Sequence, residues 1–390
     1  MEYRILDDYR LFSKMAGFSF SVTARNQKIY EERHQEIFHE KREFLGAFDN
    51  KDLAAGLILY PYMMNFRNNL VKTFGVGDVC SRADKRGKGE VRYLLNESVK
   101  LMYSRSVGLS ILYPFNYDFY RGSGWEVFTN SSMYVLSPSQ IKTVPETANI
   151  KAVDMDFPDK QGIEYHNRKV SEKYNHVIRS ENDWKDQLRM FSDNEIKRGV
   201  VQFYKDSQVC GMIKYVYSYI PKEDSTVFTV RTFFYDDFET KNSMFLFIKK
   251  LSAQISSVNL LAPNDFILFA HLSNSPVAIK KGNHCMIRII DLNALNGIFF
   301  DSCDADISVE LTDSVIKENN GSFRFVVDNK KLRISKTEDP VISTDIGTFS
   351  SILSGYVGIK DMIDCSKIKI IGKYDGTDFK KECTFITELF

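Results

Sequence analysis

Between Val79 and Arg92 the chain reads Val-Cys-Ser-Arg-Ala-Asp-Lys-Arg-Gly-Lys-Gly-Glu-Val-Arg. Two glycines, Gly87 and Gly89, stand among the cations Lys85, Arg86, Lys88 and Arg92. Glycine lets backbone approach a ligand closely, and the first turn of a helix offers N–H groups without intrahelical partners. The helix dipole adds to these, so a loop of this kind opening a helix makes an anion site suited to phosphate or pyrophosphate. The bland alternative is a tight surface turn with solubilising charge. The spacing is neither G-x-x-x-x-G-K-[ST] nor G-x-G-x-x-G, which excludes a P-loop and a dinucleotide fingerprint.

The flanking elements favour the anion site. Leu53 to Phe66 and Leu70 to Ser81 are apolar, β-prone runs separated by Arg67-Asn68-Asn69, a pattern that predicts an antiparallel hairpin. After the glycines, Val91, Leu94, Leu95, Val99 and Met102 recur at helical spacing, and Leu109 to Tyr113 reads as a strand stopped by Pro114. Upstream, Tyr3 to Leu6 reads as a strand and Tyr9 to Phe12 as the start of a helix. Residues 28 to 43 are dense in charge and read as a solvated helix, with His34 and His39 on its surface.

A second α/β stretch begins near residue 150. It has helices at Glu181 to Met190 and Ser243 to Ile255. Its strands are Val200 to Tyr204, Val209 to Tyr217, Val227 to Tyr235 and, after Pro263-Asn264-Asp265, Phe266 to Ala270. Its order echoes the first stretch, but Tyr235 to Ser243, where the glycine loop should recur, has no glycine and is acidic. A pyrophosphate would be repelled there. From Met286 the texture changes again, with strands at Ser322 to Val327 and Lys331 to Ser335 and a Ser/Gly-rich helical region at Thr348 to Gly358. The expected units are 1–140, 141–285 and 286–390.

The 390 residues suffice for two or three domains, and 43% hydrophobic with 26% charged residues is an ordinary globular composition. A net charge of +1 gives no single-signed field and argues against nucleic acid as a partner. No apolar run approaches the roughly 18 residues of a spanning helix, and there is no apolar signal region, so no membrane partner and a cytoplasmic location are expected. Cys80, Cys210, Cys285, Cys303, Cys365 and Cys383 form no C-x-x-C pair and read as isolated buried thiols. No metal site is expected, since His34 and His39 lack metal-ligand spacing and a third partner.

Val79-Cys80-Ser81-x-Ala83-Asp84-Lys85-Arg86-Gly87-Lys88-Gly89 resembles motif A of the GNAT acetyltransferases, a splayed strand followed by R/Q-x-x-G-x-G/A. It departs from that pattern at Ala83, where Pro is common, and at Val91, where a small residue is common. Pro114-Phe115-Asn116 through Tyr120 to Gly124-Trp125 is similar to the signature of the GNAT C-terminal half. Met286-Ile287-Arg288-Ile289-Ile290-Asp291 resembles the opening of a sterol-carrier-protein-like domain. Along essentially its whole length the chain resembles the enhanced-intracellular-survival acetyltransferases. The resemblance implies an α/β (α+β) fold: an active GNAT domain, a degenerate second one, and a sterol-carrier-like third whose C-terminus lies in the active site. It further implies a homohexamer that uses acetyl-CoA to acetylate a small-molecule or peptide amine, whether an aminoglycoside, a polyamine or a lysine side chain.

Carried over by position, Val79, Cys80 and Ser81 would present backbone to the acetyl and pantetheine groups, with the Val79 N–H polarising the thioester carbonyl. Arg86, Gly87, Lys88, Gly89, Glu90, Val91 and Arg92 would cradle the pyrophosphate, and Phe115 and Asn116 would contact the coenzyme arm. Tyr120 would be the general acid and the α-carboxylate of Phe390 the general base. The chemistry needs such groups, because a phenol is a plausible donor to a thiolate of similar basicity and a backbone N–H suits an oxyanion. The final stretch, Thr384 to Phe390, is apolar and alternates like a strand, which predicts a docked end or a last edge strand. The competing reading is a non-enzymatic lipid or ligand carrier built on the third unit. Retention of both glycines and their cations argues against it.

Overall fold

The computed structural model describes residues 2–20, 23–40, 42–129, 131–189, 192, 194–274, 277–281, 284–300 and 305–388. The first unit opens with strand β1 (Glu2–Ile5) and helices α1 (Arg10–Phe20) and α2 (Ala24–His39). Strands β2 (Glu43–Asp49), β3 (Asp52–Phe66) and β4 (Asn69–Ser81) follow, then α3 (Glu90–Ser104), β5 (Leu109–Leu112), α4 (Tyr117–Arg121) and β6 (Glu126–Val127). The hairpin of β3 and β4 turns through Arg67 and Asn68, both at positive φ (50° and 63°), the geometry that suits the twist of antiparallel strands. The apolar stripe of α3 is fully buried at Leu94, Leu95, Val99 and Met102. Each such side chain contributes about 1.5–3 kcal/mol of burial.

The sheets do not follow the unit boundaries expected near 140 and 285. Strand Ser131–Leu136 pairs with Ser257–Pro263 in the second sheet. Met286–Ile289, expected to open the third unit, instead lies in the first sheet between β5 and β6. Because His176–Ile178 of the second unit in turn pairs with β3, the two α/β units exchange strands rather than sit as beads on a string. The strand expected at Phe266 to Ala270 is a correction of another kind. The parallel partner of Ser225–Tyr235 is Ser257–Pro263, whose run Val-Asn-Leu-Leu-Ala carries the apolar residues, and Phe269–His271 is a short 3-10 turn.

The third sheet runs Lys331–Lys336, Gly321–Asp328, Asp306–Thr312, Ile342–Asp345 and Lys369–Ile370. Its helix Ile346–Leu353 is buried along its length and packs on Met286–Ile289, so its core is continuous with one face of the first sheet. Buried arginines fix the units together. Arg67 donates to the carbonyls of Leu353 (2.6 Å) and Lys380 (2.7 Å), while Arg288 pairs with Asp313 at 2.7 Å. Arg42 bridges Asp183 (2.6 Å) and Asp186 (2.7 Å) of the second unit. No helix among the described residues is long and apolar enough to cross a membrane.

Candidate active site

β4 and β5 run parallel only from Thr73 and Leu109 to Val76 and Leu112. Beyond that β4 continues to Ser81 while Pro114 turns the other strand away, leaving a V-shaped opening. A bulge marks the same place: the register with β3 shifts between Gly56 and Ile58, so Asp78 and Val79 together face Leu57. Asp78 takes a left-handed conformation (φ 48°), which a short polar side chain tolerates.

Two cavities meet at this opening, and Phe20, Val79 and Phe115 line both. The first, of 760 Å³, is a groove along Val79, Cys80 and Ser81 to the turn from Arg86 to Arg92, of which all but Lys88 line it. Gly89 caps α3 at φ 91° and Gly87 stands at φ 79°, and an added Cβ at either would meet nothing within 4 Å. The backbone there faces open space, as close approach of a phosphate requires. Lys85 is tied to Asp49 at 2.6 Å. Arg86, Lys88 and Arg92 hold no ion pair among the described residues and remain available for phosphate. The Cys80 side chain is buried in the core with Phe12, and burial pushes its thiol well up, so Cys80 offers backbone rather than a nucleophile.

The second cavity, of 470 Å³, lies deeper, between the first unit, the second sheet and the chain's last described residues. Tyr120 lines it and is 2% exposed, held edge-on by Phe115 (5.5 Å) and Phe119 (5.2 Å). Its position is set by Asn116, which caps α4 by accepting from the Phe119 N–H at 3.0 Å. Burial raises the Tyr120 phenol above its ordinary value, so it stays protonated at neutral pH.

Ile386, Thr387 and Glu388, the last described residues, line this cavity, and they form no strand. Thr384 to Glu388 are all buried, held by side chains rather than a ladder. Tyr113 donates to the Ile386 carbonyl at 3.1 Å, the Thr387 N–H donates to His176 Nε2 at 3.2 Å, and Lys214 donates to the Thr387 carbonyl at 3.3 Å. Glu388 is fully buried and accepts from Arg179 at 2.7 Å. Phe390 lies outside the described residues.

Three features in and behind the wall are not anticipated by the sequence reading. His34, expected on a solvated helix, is fully buried, with Nδ1 3.1 Å from Ser13 Oγ and Nε2 3.2 Å from Asp78. Its neighbour Arg33 pairs with Asp78 at 2.6 Å. The Asp78 side chain is 9% exposed, and desolvation alone would raise its carboxyl, but Arg33 and His34 hold it well below the usual carboxylate range. Asp78 is 44 residues from His34 and 45 from Arg33, and no local pattern links it to them. The third is Arg231, which reaches the wall from the second sheet. Among the thiols, Cys365 is exposed rather than buried, and Cys303 lies outside the described residues.

In the second unit, the helix Phe238–Lys250 begins at the place of α3. There Asp237 accepts from the Thr240 N–H at 2.7 Å, and Asp236 pairs with Arg168 at 3.1 Å. Its own carboxylate fills the helix N-terminus that Gly89 leaves open in the first unit.

Residues 5–128 match the family model of the acetyltransferase (GNAT) domain, and residues 293–382 match that of the sterol carrier protein domain. No match was found among curated proteins. Similar solved structures include a GCN5-related N-acetyltransferase from Anabaena variabilis ATCC 29413 (17% identity, 100% of both chains, TM-score 0.87). Another, from Kribbella flavida, has 13% identity over 100% of this chain and 98% of that one, with a TM-score of 0.80. Eis1 from Mycobacterium abscessus has 17% identity over 100% of both chains, with a TM-score of 0.77. Fold and domain matches together define an acyltransferase of the GNAT superfamily. The two matched domains stand in the order found in the enhanced-intracellular-survival acetyltransferases that the sequence resembles, a GNAT domain first and a sterol-carrier-like domain last.

Proposed function

We propose that this protein is an acetyl-CoA-dependent N-acetyltransferase acting on a primary amine by direct attack in a ternary complex. The observation that carries the reading is the meeting of the two cavities at Val79 and Phe115, with Tyr120 in the inner wall. Acetyl-CoA supplies an acetyl thioester, whose C–S bond is exchanged for a C–N bond to the amine as the free thiol departs. Arg86, Arg92 and the open N-terminus of α3 hold phosphate; Val79 to Ser81 hold the pantetheine arm. The Val79 N–H, turned by the bulge, stabilises charge on the carbonyl oxygen, a contribution of about 3–4 kcal/mol for a well-placed donor. Tyr120 gives its hydroxyl proton to the departing sulfur. The amine's proton goes to a carboxylate on the acceptor side, the α-carboxylate of Phe390 by family resemblance. A carrier function is disfavoured by the packing of the third unit, where Phe325 and Phe349 meet in the core with centroids 4.5 Å apart and ring planes tilted by 45°.

The test is a panel of amines incubated with acetyl-CoA, read by thiol release. Release that depends on both amine and enzyme supports the reading. No release with any amine, while the coenzyme binds, overturns it.

A further inference from the structure

The charges around the inner cavity are not evenly matched. Asp78 is already bridged by Arg33 and His34. Glu388 is bridged by Arg179, yet its second oxygen, Oε2, is buried with no hydrogen-bond partner. Among the described residues, Lys214 donates to neutral oxygens of Gln187 (2.8 Å) and Thr387 (3.3 Å). Arg231, in the cavity wall, has a buried Nε without a partner and no ion pair among the described residues. Arg231 is half-buried, and a partly desolvated guanidinium with an unpaired donor and no anion beside it gains from a carboxylate. Burial, and next the neighbouring Arg198, weaken its hold on its proton. The wall thus offers one unsatisfied cationic donor and one unsatisfied carboxylate oxygen, in a cavity of 470 Å³ that suits a small molecule.

We propose that the acceptor is zwitterionic, an amino acid or a small derivative retaining its carboxylate, bound with the carboxylate on Arg231 and the amine toward Glu388. This rests on the acetyl-transfer reading and narrows it. Polycationic acceptors such as polyamines and aminoglycosides would leave Arg231 unpaired and bring further positive charge beside it. A carboxylate meeting the guanidinium fork gains a charge-assisted, bidentate contact.

The experiment compares matched acceptors that differ only in the carboxylate: lysine against cadaverine, ornithine against putrescine, phenylalanine against phenethylamine. Each is assayed with acetyl-CoA and wild-type enzyme, then with Arg231→Gln and Arg231→Lys. The carboxylated member of at least one pair should be the better substrate by at least about tenfold in kcat/KM, the scale of a hydrogen bond to a charged group. Arg231→Gln should erase that preference by raising KM for the carboxylated acceptor, with the coenzyme KM and the decarboxylated partner unchanged. Arg231→Lys should restore part of it. Decarboxylated amines acetylated as well as their partners in wild-type enzyme would overturn the inference and leave acetyl transfer standing. That comparison needs no variant to fold. Thiol release from none of the six, with release from another amine of the panel, would likewise overturn the inference and leave acetyl transfer standing.

Discussion

The Tyr113 hydroxyl donates to the carbonyl oxygen of Ile386 at 3.1 Å, across 273 residues of sequence. The residue that follows β5 at the mouth of the V is thereby tied to the segment that walls the inner cavity. Ile386, Thr387 and Glu388 are wall residues of that cavity, so its shape depends on where the last residues of the third unit are held. Lengthening the chain by a few residues after Phe390 should therefore reduce acetyl transfer severely, with coenzyme affinity and melting temperature retained. Amidating the terminus isolates the charge. Wild-type transfer by the amidated protein would remove the Phe390 carboxylate as base and make Glu388 the group to test.

Arg86 and Arg92 are exposed, line the groove proposed for the coenzyme and hold no ion pair among the described residues. The double charge reversal Arg86→Glu and Arg92→Glu should weaken coenzyme binding at least tenfold, more at low salt, because a phosphate site loses two cations. Stability should stay within about 0.5 kcal/mol for each substitution, as for other surface changes. Calorimetry should find one coenzyme per chain, since Asp237 occupies the corresponding helix terminus in the second unit. Two equivalent sites would contradict that assignment.

Asp78 joins the bulge of β4 to α2 through Arg33 and His34. Asp78→Asn leaves the buried Arg33 guanidinium without its counter-ion and should cost about 3–5 kcal/mol in urea unfolding. A cost below about 1 kcal/mol would show that the pair is not the anchor of the bulge. The Asp78 carboxyl is depressed in the folded state, so its contribution is complete above the ordinary carboxylate range. It is lost only as pH falls through the folded value.

His166 and His176 give a pH dependence of their own. Both are fully buried and pushed well below the ordinary imidazole value by burial, then by Arg179. A histidine kept neutral in the fold takes up its proton only on unfolding. Its contribution to stability is complete above about pH 6.5 and falls as pH drops toward the folded value. The slope is about 1.4 kcal/mol per pH unit for each such histidine. Urea midpoints should therefore fall measurably between about pH 7 and about pH 5.5. An unchanged midpoint would mean that these rings are protonated in the fold.

What was legible in the sequence was local. The glycine turn, the stripe of α3, the hairpin around Asn68 and the docked, apolar chain end are all patterns within about fifteen residues, set by backbone conformation and helical or strand period. The strand exchange between the first two sheets was not legible, because Ser131–Leu136 and Met286–Ile289 look like any buried strand and their partners are remote in sequence. The same holds for the His34–Asp78 contact. A charged helix carries an apolar face of only a few residues, and burial of Arg33 and His34 follows from a carboxylate that the bulge in β4 turns toward them. Arg231 is one basic residue in a β-prone run, and only the cavity shows that it lacks a counter-ion.

The central claim is proton donation from Tyr120 in a cleft that already holds the coenzyme. Tyr120→Phe tests it directly, because the hydroxyl makes no hydrogen bond among the described residues and the ring contacts with Phe115 and Phe119 survive the change. Coenzyme binding by calorimetry and acetyl transfer by thiol release should be measured on the same preparation with the best amine of the panel. The account predicts an unchanged coenzyme Kd and a fall in kcat of about 10²–10⁴, the usual scale for losing a general acid. Wild-type kcat in Tyr120→Phe would contradict it.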